Sequence, residues 1–297
     1  MGPSFSVVIP LYNHEQYIAS TLYSVLNQSY PAREIIVIDD GSRDGGPQIV
    51  QALAKNRPEI IFWSQPNRGA HSAINAGVMR ATSDVVAILN SDDLYHPNRL
   101  ERVANAFENG AADAVFTDCA FCNGDGDSIS FDWYEEALSY FKFTGDYEKS
   151  LINGNFILTT TNIAFRRSVF DEIGGFSNLR YAHDLDFFLR LSLMGKNVAG
   201  MGERLATYRI HGTNTISEGH DKVRLEWAAV AACYLAGLCA RKGWGEIARF
   251  YEVLERHDLM KMMVPLVSYF YASGVQSLER HEFHHDEEFK SVIKAIV

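Results

Sequence analysis

Cysteine, basic charge and long apolar runs are all scarce in this chain. Only four cysteines occur, Cys119, Cys122, Cys233 and Cys239. Cys119 and Cys122 form one CxxC, but no second pair has the spacing of a zinc site. Buried free thiols in a reducing compartment are therefore expected, not a disulfide framework. Lys and Arg total 27 against 37 Asp and Glu, a formal net charge of −10. With no basic arm or stripe, a nucleic-acid partner is not expected. No apolar run reaches the roughly 18 residues of a membrane span. The chain enters a strand at Phe5, so no signal peptide is expected and the protein is placed in the cytoplasm. Two nucleotide-binding signatures are missing as well. No GxGxxG follows the first strand and no GxxxxGK[ST] occurs, which argues against a dinucleotide oxidoreductase and a P-loop enzyme.

What is present is an ordinary globular composition, 47% hydrophobic and 22% charged over 297 residues. The first 120 residues alternate strand and helix. Strands are expected at Phe5–Pro10, Glu34–Asp39, Ile60–Gln65, Val85–Leu89 and Ala114–Cys122. Between them lie a helix capped by Asn13 and running to about Gln28, then helices at Asp44–Asn56, His71–Ala81 and Pro97–Phe107. This order predicts an α/β fold with a mostly parallel sheet covered on both faces. Residues 123–155 are less regular and rich in aromatics. Strand character resumes at Thr159–Arg166, and Asp184–Met194 reads as a helix, followed by a strand at Leu205–Ile210. Beyond Ser217 two apolar helical segments, Leu225–Leu238 and Met260–Val275, predict a helical C-terminal extension. The expected division is therefore 1–215 and 216–297. The extension is a place for self-association or peripheral membrane contact.

The run Leu89-Asn90-Ser91-Asp92-Asp93 ends a buried strand. Two adjacent carboxylates there are costly unless a cation offsets them. The C-terminal ends of strands are also where open α/β sheets bind ligands. A hard divalent cation carrying a diphosphate satisfies both conditions. The first turn, Pro10-Leu11-Tyr12-Asn13-His14-Glu15, offers the flat ring of Tyr12 for stacking. Asp39, ending the second strand, is an acceptor for the imino N–H of a base edge. Taken singly, Tyr12 also reads as core and Asp39 as a turn residue.

Seven segments occur in order: Ser6–Asn13, Ile38-Asp39-Asp40-Gly41-Ser42, Asn67-Arg68-Gly69 through Gly77, Leu89–Asp93, Ile173-Gly174-Gly175-Phe176, His183-Asp184-Leu185-Asp186 and Tyr208-Arg209-Ile210-His211. Together they resemble the family 2 glycosyltransferases of GT-A fold over about residues 4–215. The resemblance implies a nucleoside-diphosphate-sugar donor with UDP favoured, a Mn²⁺ or Mg²⁺ ion, and inversion at the anomeric carbon. It implies a hydroxyl of a glycan or lipid-linked acceptor, in bacterial surface polysaccharide synthesis. Tyr12 and Asp39 would hold the base, with Pro10, Asn13 and Glu15 shaping the pocket. Asn67, Gly69 and Ser72 would lie along the nucleoside, with Asn90 and Ser91 in the donor turn. Asp92 would sit near ribose and metal, Asp93 would bind the metal, and His211 would be a further ligand. Asp184 matches the family's catalytic base. At the start of a helix, the dipole would lower its basicity.

Two positions depart from the family pattern. His183 stands where Glu is common before the base, and Asn90 replaces the usual first aspartate of the metal motif. Two other function classes compete. A nucleotidyltransferase would carry a glycine- and basic-rich first loop, which Pro10–Glu15 is not. A non-catalytic nucleotide- or glycan-binding module would not need Asp92, Asp93 and Asp184 together. His281-Glu282-Phe283-His284-His285 spells HExxH, but it lies in a polar tail with little chain left to build a zinc site.

Overall fold

The apolar run Phe5–Leu11, buried at every position, forms the central strand β1 of a computed structural model that describes residues 2–212, 214, 220–274 and 287–296. In chain order there follow α1 (Ile18–Leu26), β2 (Glu34–Asp39), α2 (Gly46–Ala54), β3 (Ile60–Ser64), α3 (Ala70–Arg80), β4 (Val85–Ile88), β5 (Leu94–Tyr95), α4 (Arg99–Asn109) and β6 (Ala114–Cys122). Then come α5 (Asp132–Thr144), α6 (Tyr147–Gly154), β7 (Ile163–Arg166), α7 (Arg167–Ile173), α8 (His183–Leu193) and β8 (Val198–Arg209). The helices α9 (His220–Lys242), α10 (Tyr251–Arg256), α11 (Met260–Ser273) and α12 (Glu287–Ile296) complete the described chain.

The strands form one sheet in the order β3-β2-β1-β4-β7-β6-β8-β5. The pairs β1–β2, β1–β4, β2–β3 and β6–β8 are parallel, whereas β4–β7, β6–β7 and β5–β8 are antiparallel. The parallel half follows from the alternating order of strands and helices, since each crossover returns the chain in the same direction. The strand expected at Thr159–Arg166 is the shorter β7, whose antiparallel direction the pattern does not give, and the two-residue β5 carries too little pattern to be read in advance. The strand expected at Leu205–Ile210 is longer than expected, because β8 begins at Val198 on an edge where burial is irregular. Both sides of the β1 pleat are dry. Val7 and Ile9 pack with Leu22, Val25 and Leu100, and Val8 faces α3 so closely that a Cβ on Gly77 would meet Val8 Cγ1 at 2.3 Å.

Two compact units interleave along the chain. The sheet unit comprises residues 1–130, 157–175 and 196–212; the other comprises 131–156, 176–195 and 213–297. In the second unit α9 packs against α8 and α11. The 22-residue stretch Asp221–Lys242 contains an 18-residue window of mean hydropathy 1.4, long and apolar enough by length and composition to cross a membrane. This corrects the expectation that no such segment exists. Its Ala228–Ala232, Leu235 and Leu238 are nevertheless buried by protein, the pattern of a helix inside a core. All four cysteines are buried free thiols, as expected. The HExxH run at 281–285 lies outside the described residues.

Candidate active site

The helix expected to start from an Asn13 cap begins instead at Ile18, with Tyr17 in the cap position and no side-chain cap bond. Asn13 is in the left-handed region (φ 54°), which asparagine tolerates better than most residues. Its side chain is used elsewhere. Asn13 N–H donates to Ser42 Oγ (3.0 Å) and Asn13 Oδ1 accepts from Arg43 N–H (2.8 Å). Glu15 N–H donates to Asp44 Oδ2 (2.8 Å) and Glu15 Oε2 accepts from Gly45 N–H (2.7 Å). These four bonds lace the turn after β1 to the turn after β2. Between them, beyond the buried Pro10, the Tyr12 ring is left 44% exposed.

Asp39 is buried and spans two strands. Its Oδ1 accepts from Ser42 N–H (3.0 Å) and its Oδ2 from Ser64 Oγ (2.7 Å) on β3. Asp40, expected only to form a turn, is a hub. It accepts from Gln65 Nε2 and from the N–H groups of Arg68 and Gly69, at 2.8 to 3.1 Å. That fixes the Asn67–Gly69 loop, and Gln65 Nε2 also donates to Ser72 Oγ (3.2 Å). Gly41, at φ 76°, allows the same loop to close in, since a Cβ there would sit 3.0 Å from Asn67 N. Tyr12, Asp39 at the end of β2, Asn67, Gly69 and Ser72 in the first turn of α3 thus lie on segments tied together at the C-terminal ends of β1–β3.

The turn after β4 sends its two carboxylates to different partners. Asp93 is fully buried; its Oδ2 accepts from Thr161 Oγ1 (2.5 Å) and its Oδ1 from Arg209 N–H (3.0 Å). Burial, followed by the charge of Asp92, pushes the Asp93 carboxyl well above its usual range. Asp92 Oδ2 lies 3.0 Å from His211 Nε2 and 3.8 Å from His14 Nε2. His14, Asp92 and His211 bring three ligand atoms within 4.8 Å of one another, a spacing that fits one cation among the described residues. Asp93 is not among those three. Sequence reading expects it to bind the metal; each of its oxygens accepts one bond from protein, from Thr161 and from Arg209.

His14 escaped that reading because a single histidine in a first loop carries no signal. Its Nδ1 is 2.8 Å from Ser91 Oγ, a partner that orients the ring with Nε2 toward Asp92. Burial lowers the His14 pKa against the opposing pull of Asp92. His211 packs against Tyr17 in a tilted ring contact, with centroids 4.9 Å apart. Arg209 covers the other side of the turn, with its guanidinium 4.9 Å above the Tyr17 ring and Nε donating to the Asp92 carbonyl (2.8 Å).

Asn90 is explained by three threonines that sequence reading missed. Its N–H donates to Thr161 Oγ1 and its Nδ2 to Thr159 Oγ1, while its Oδ1 accepts from Thr160 Oγ1, each at 3.0 Å. An amide both donates and accepts, so it satisfies this set without adding a third negative charge beside Asp92 and Asp93. The buried polar run Thr159–Asn162, leading into a strand, was the available signal.

Asp184 belongs to the second unit, in the first turn of α8. Its Oδ1 accepts from Leu185 N–H (2.7 Å) and its Oδ2 from Asn155 Nδ2 (3.1 Å). The helix position led us to expect lowered basicity. Burial overrides the hydrogen bonds, and with a contribution from Glu226 pushes the Asp184 carboxyl up to about 7. That suits a group exchanging a proton near neutrality. Asp186, two residues on, is paired with Arg190 (2.8 Å) and accepts from Ser177 Oγ (2.6 Å).

The family model for glycosyl transferase family 2 matches residues 6–174. The chain is 31% identical over 227 residues to the putative teichuronic acid biosynthesis glycosyltransferase TuaG of Bacillus subtilis, covering 76% of this chain and 86% of that protein. The fold is similar to S. aureus TarS crystallised with UDP-GlcNAc (TM-score 0.60, 18% identity, 98% of this chain and 91% of that one). It is also similar to the mannosyltransferase PcManGT of Pyrobaculum calidifontis in complex with GDP-Man and Mn²⁺ (TM-score 0.59, 18% identity, 99% and 79%). Both likenesses identify the mixed sheet with its helical C-terminal region as the GT-A architecture.

Proposed function

The chain belongs to glycosyl transferase family 2, and from that premise we propose a cation-assisted, inverting transfer of a sugar from a nucleoside diphosphate to an acceptor hydroxyl. The observation that carries this reading is the His14–Asp92–His211 group beside the Tyr12–Asp39 loops, all at the C-terminal ends of β1, β2, β4 and β8. Tyr12 stacks on the base and Asp39 accepts its imino N–H, a pairing open to uracil, thymine or guanine; UDP is favoured by the resemblance. Pro10, Asn13 and Glu15 set the shape of this pocket. Asn67, Gly69 and Ser72 lie along the nucleoside.

Asp92, His211 and His14 would hold the divalent cation, and two imidazoles suit Mn²⁺ better than Mg²⁺. Such an ion, when bound, supplies Lewis acidity toward the leaving diphosphate. Asp93 is assigned the support of the turn, together with Asn90 and Ser91. The acceptor oxygen attacks the anomeric carbon from the face opposite the diphosphate. Its proton passes to an Asp184 carboxylate oxygen, the bond from the anomeric carbon to the phosphate oxygen breaks, and the nucleoside diphosphate leaves. One displacement of this kind inverts the anomeric centre.

The acceptor is proposed to be a glycan or lipid-linked hydroxyl in a bacterial surface polysaccharide pathway, in keeping with the name of the TuaG relative. We assign the transferase region to 1–215 and an extension to 216–297, acting in the cytoplasm, with the extension available to a second copy or to the membrane surface bearing such an acceptor.

Two substitutions test the site. Asp93→Asn keeps an acceptor for Arg209 N–H and lets the Thr161 hydroxyl reverse, so Mn²⁺ affinity measured by electron paramagnetic resonance is expected to change by less than about threefold. A loss as large as that of an Asp92 variant would return the ligand role to Asp93. Asp39→Ala is expected to weaken UDP binding by about 10- to 100-fold, from one lost hydrogen bond to a base edge. Titration calorimetry measures it, and unchanged affinity would remove Asp39 from the base pocket.

A further inference from the structure

α8 begins without a cap of its own. Its N-cap residue is Ala182, which has no side-chain acceptor to offer the first N–H groups. The segment just before those groups is held from α9. Glu226, 4% exposed, accepts from Arg180 N–H (3.0 Å) and Tyr181 N–H (2.7 Å), and from Ala182 N–H (3.1 Å). Three consecutive backbone donors converging on one carboxylate form a cradle suited to an anion. The residue that follows them by two is Asp184.

We propose that Glu226 is a positioning residue for the reaction: its carboxylate gathers the turn entering α8 and thereby fixes where Asp184 is presented. This rests on the reading of Asp184 as the proton acceptor. It gives the extension a task in the chemistry, since α9 lies beyond residue 215. Removing the carboxylate leaves three N–H groups of a part-buried turn with a poorer partner, a cost borne by the segment that leads into Asp184.

A second consequence is electrostatic. Among the groups around Asp184, Asn155 just past α6 and Leu185 N–H favour its charged form. Asp186 on its own helix is paired with Arg190. Glu226 from α9 is the like charge, and it acts in the same direction as burial. One residue therefore both holds the turn and keeps its carboxylate neighbour basic.

The test is Glu226→Gln, which keeps one acceptor oxygen and removes the charge, with Glu226→Asp as the conservative control. Asp184 is followed by carboxyl carbon NMR, its signal assigned by its loss in Asp184→Asn. In Glu226→Gln the Asp184 titration is expected to move to lower pH by about half a unit or more. The turnover number is expected to fall about tenfold, with the KM for the nucleotide sugar within about twofold. Glu226→Asp should return the titration toward that of the wild type. A capping role for stability alone would lower the melting temperature and leave both the titration and the turnover of folded protein unchanged, and that result overturns the proposal. Should Glu226→Gln not fold, amide exchange in the wild type decides. Slow exchange at Tyr181 and Ala182 supports the cradle, and exchange at open-loop rates overturns it. Full activity in Asp184→Asn, by contrast, would overturn the reading of the base while leaving the Glu226 titration effect measurable.

Discussion

Replacing Asp184 by Asn is expected to reduce transfer by 10²–10⁴-fold, on the order found when a positioned general base is removed, while donor affinity stays within about twofold. The side chain is nearly isosteric, so the loss reads proton transfer and not packing. The same substitution should make the protein more stable above neutral pH. Asp184 is raised from the model-peptide value of 3.8 to about 7. For a carboxyl with a raised folded-state pKa, the folded protein binds the proton more tightly than the unfolded chain. Its favourable contribution is therefore complete below the unfolded pKa and is lost as pH rises through about 7. At pH 8 the buried carboxylate costs stability, on the order of 2–4 kcal/mol, and the neutral amide escapes that cost. Thermal melts of both proteins at pH 5.5 and 8 should show a gain for the variant that is larger at pH 8. In the wild type the turnover rate should climb with pH through about 7. A variant that is inactive but no more stable at pH 8 would mean that burial does not hold Asp184 basic.

Replacing Asp92 by Asn is expected to weaken Mn²⁺ binding by 10²-fold or more, since the lost ligand is the one anion in a group whose other members are the imidazoles of His14 and His211. That estimate exceeds the 10- to 100-fold typical of outer-shell partners because the ligand itself is removed. His14→Ala and His211→Ala should each give smaller losses, leaving the carboxylate in place. Electron paramagnetic resonance of added Mn²⁺ reads all three variants without needing an acceptor. Wild-type affinity in Asp92→Asn would dissolve the proposed centre.

The family was legible in the sequence because its seven segments keep their order, and the parallel half of the sheet because strand and helix alternate. What stayed hidden depends on contacts between distant residues. Two adjacent aspartates in one turn look alike, and only Thr161 and Arg209, 68 and 116 positions away, draw Asp93 inward. Asp92 is left facing His211, 119 positions on. Asn90 reads as a departure from a motif until the three threonine hydroxyls around it are seen. The basicity of Asp184 was inferred with the wrong sign. A helix dipole is visible in a sequence, whereas desolvation and the carboxylate of Glu226 are properties of the packed unit. Asn13 failed as a helix cap for a similar reason: the turn after β2 supplies better partners than the helix start.

Titration of UDP and of GDP into the wild-type protein, once with Mn²⁺ and once with the metal chelated, tests the central claim most directly. The expected result is UDP binding that needs the ion, with affinity falling at least tenfold on chelation, and weaker binding of GDP. UDP binding of equal strength with and without Mn²⁺ would contradict the account, because the carboxylate and imidazoles beside the nucleotide loops would then have no cation to hold.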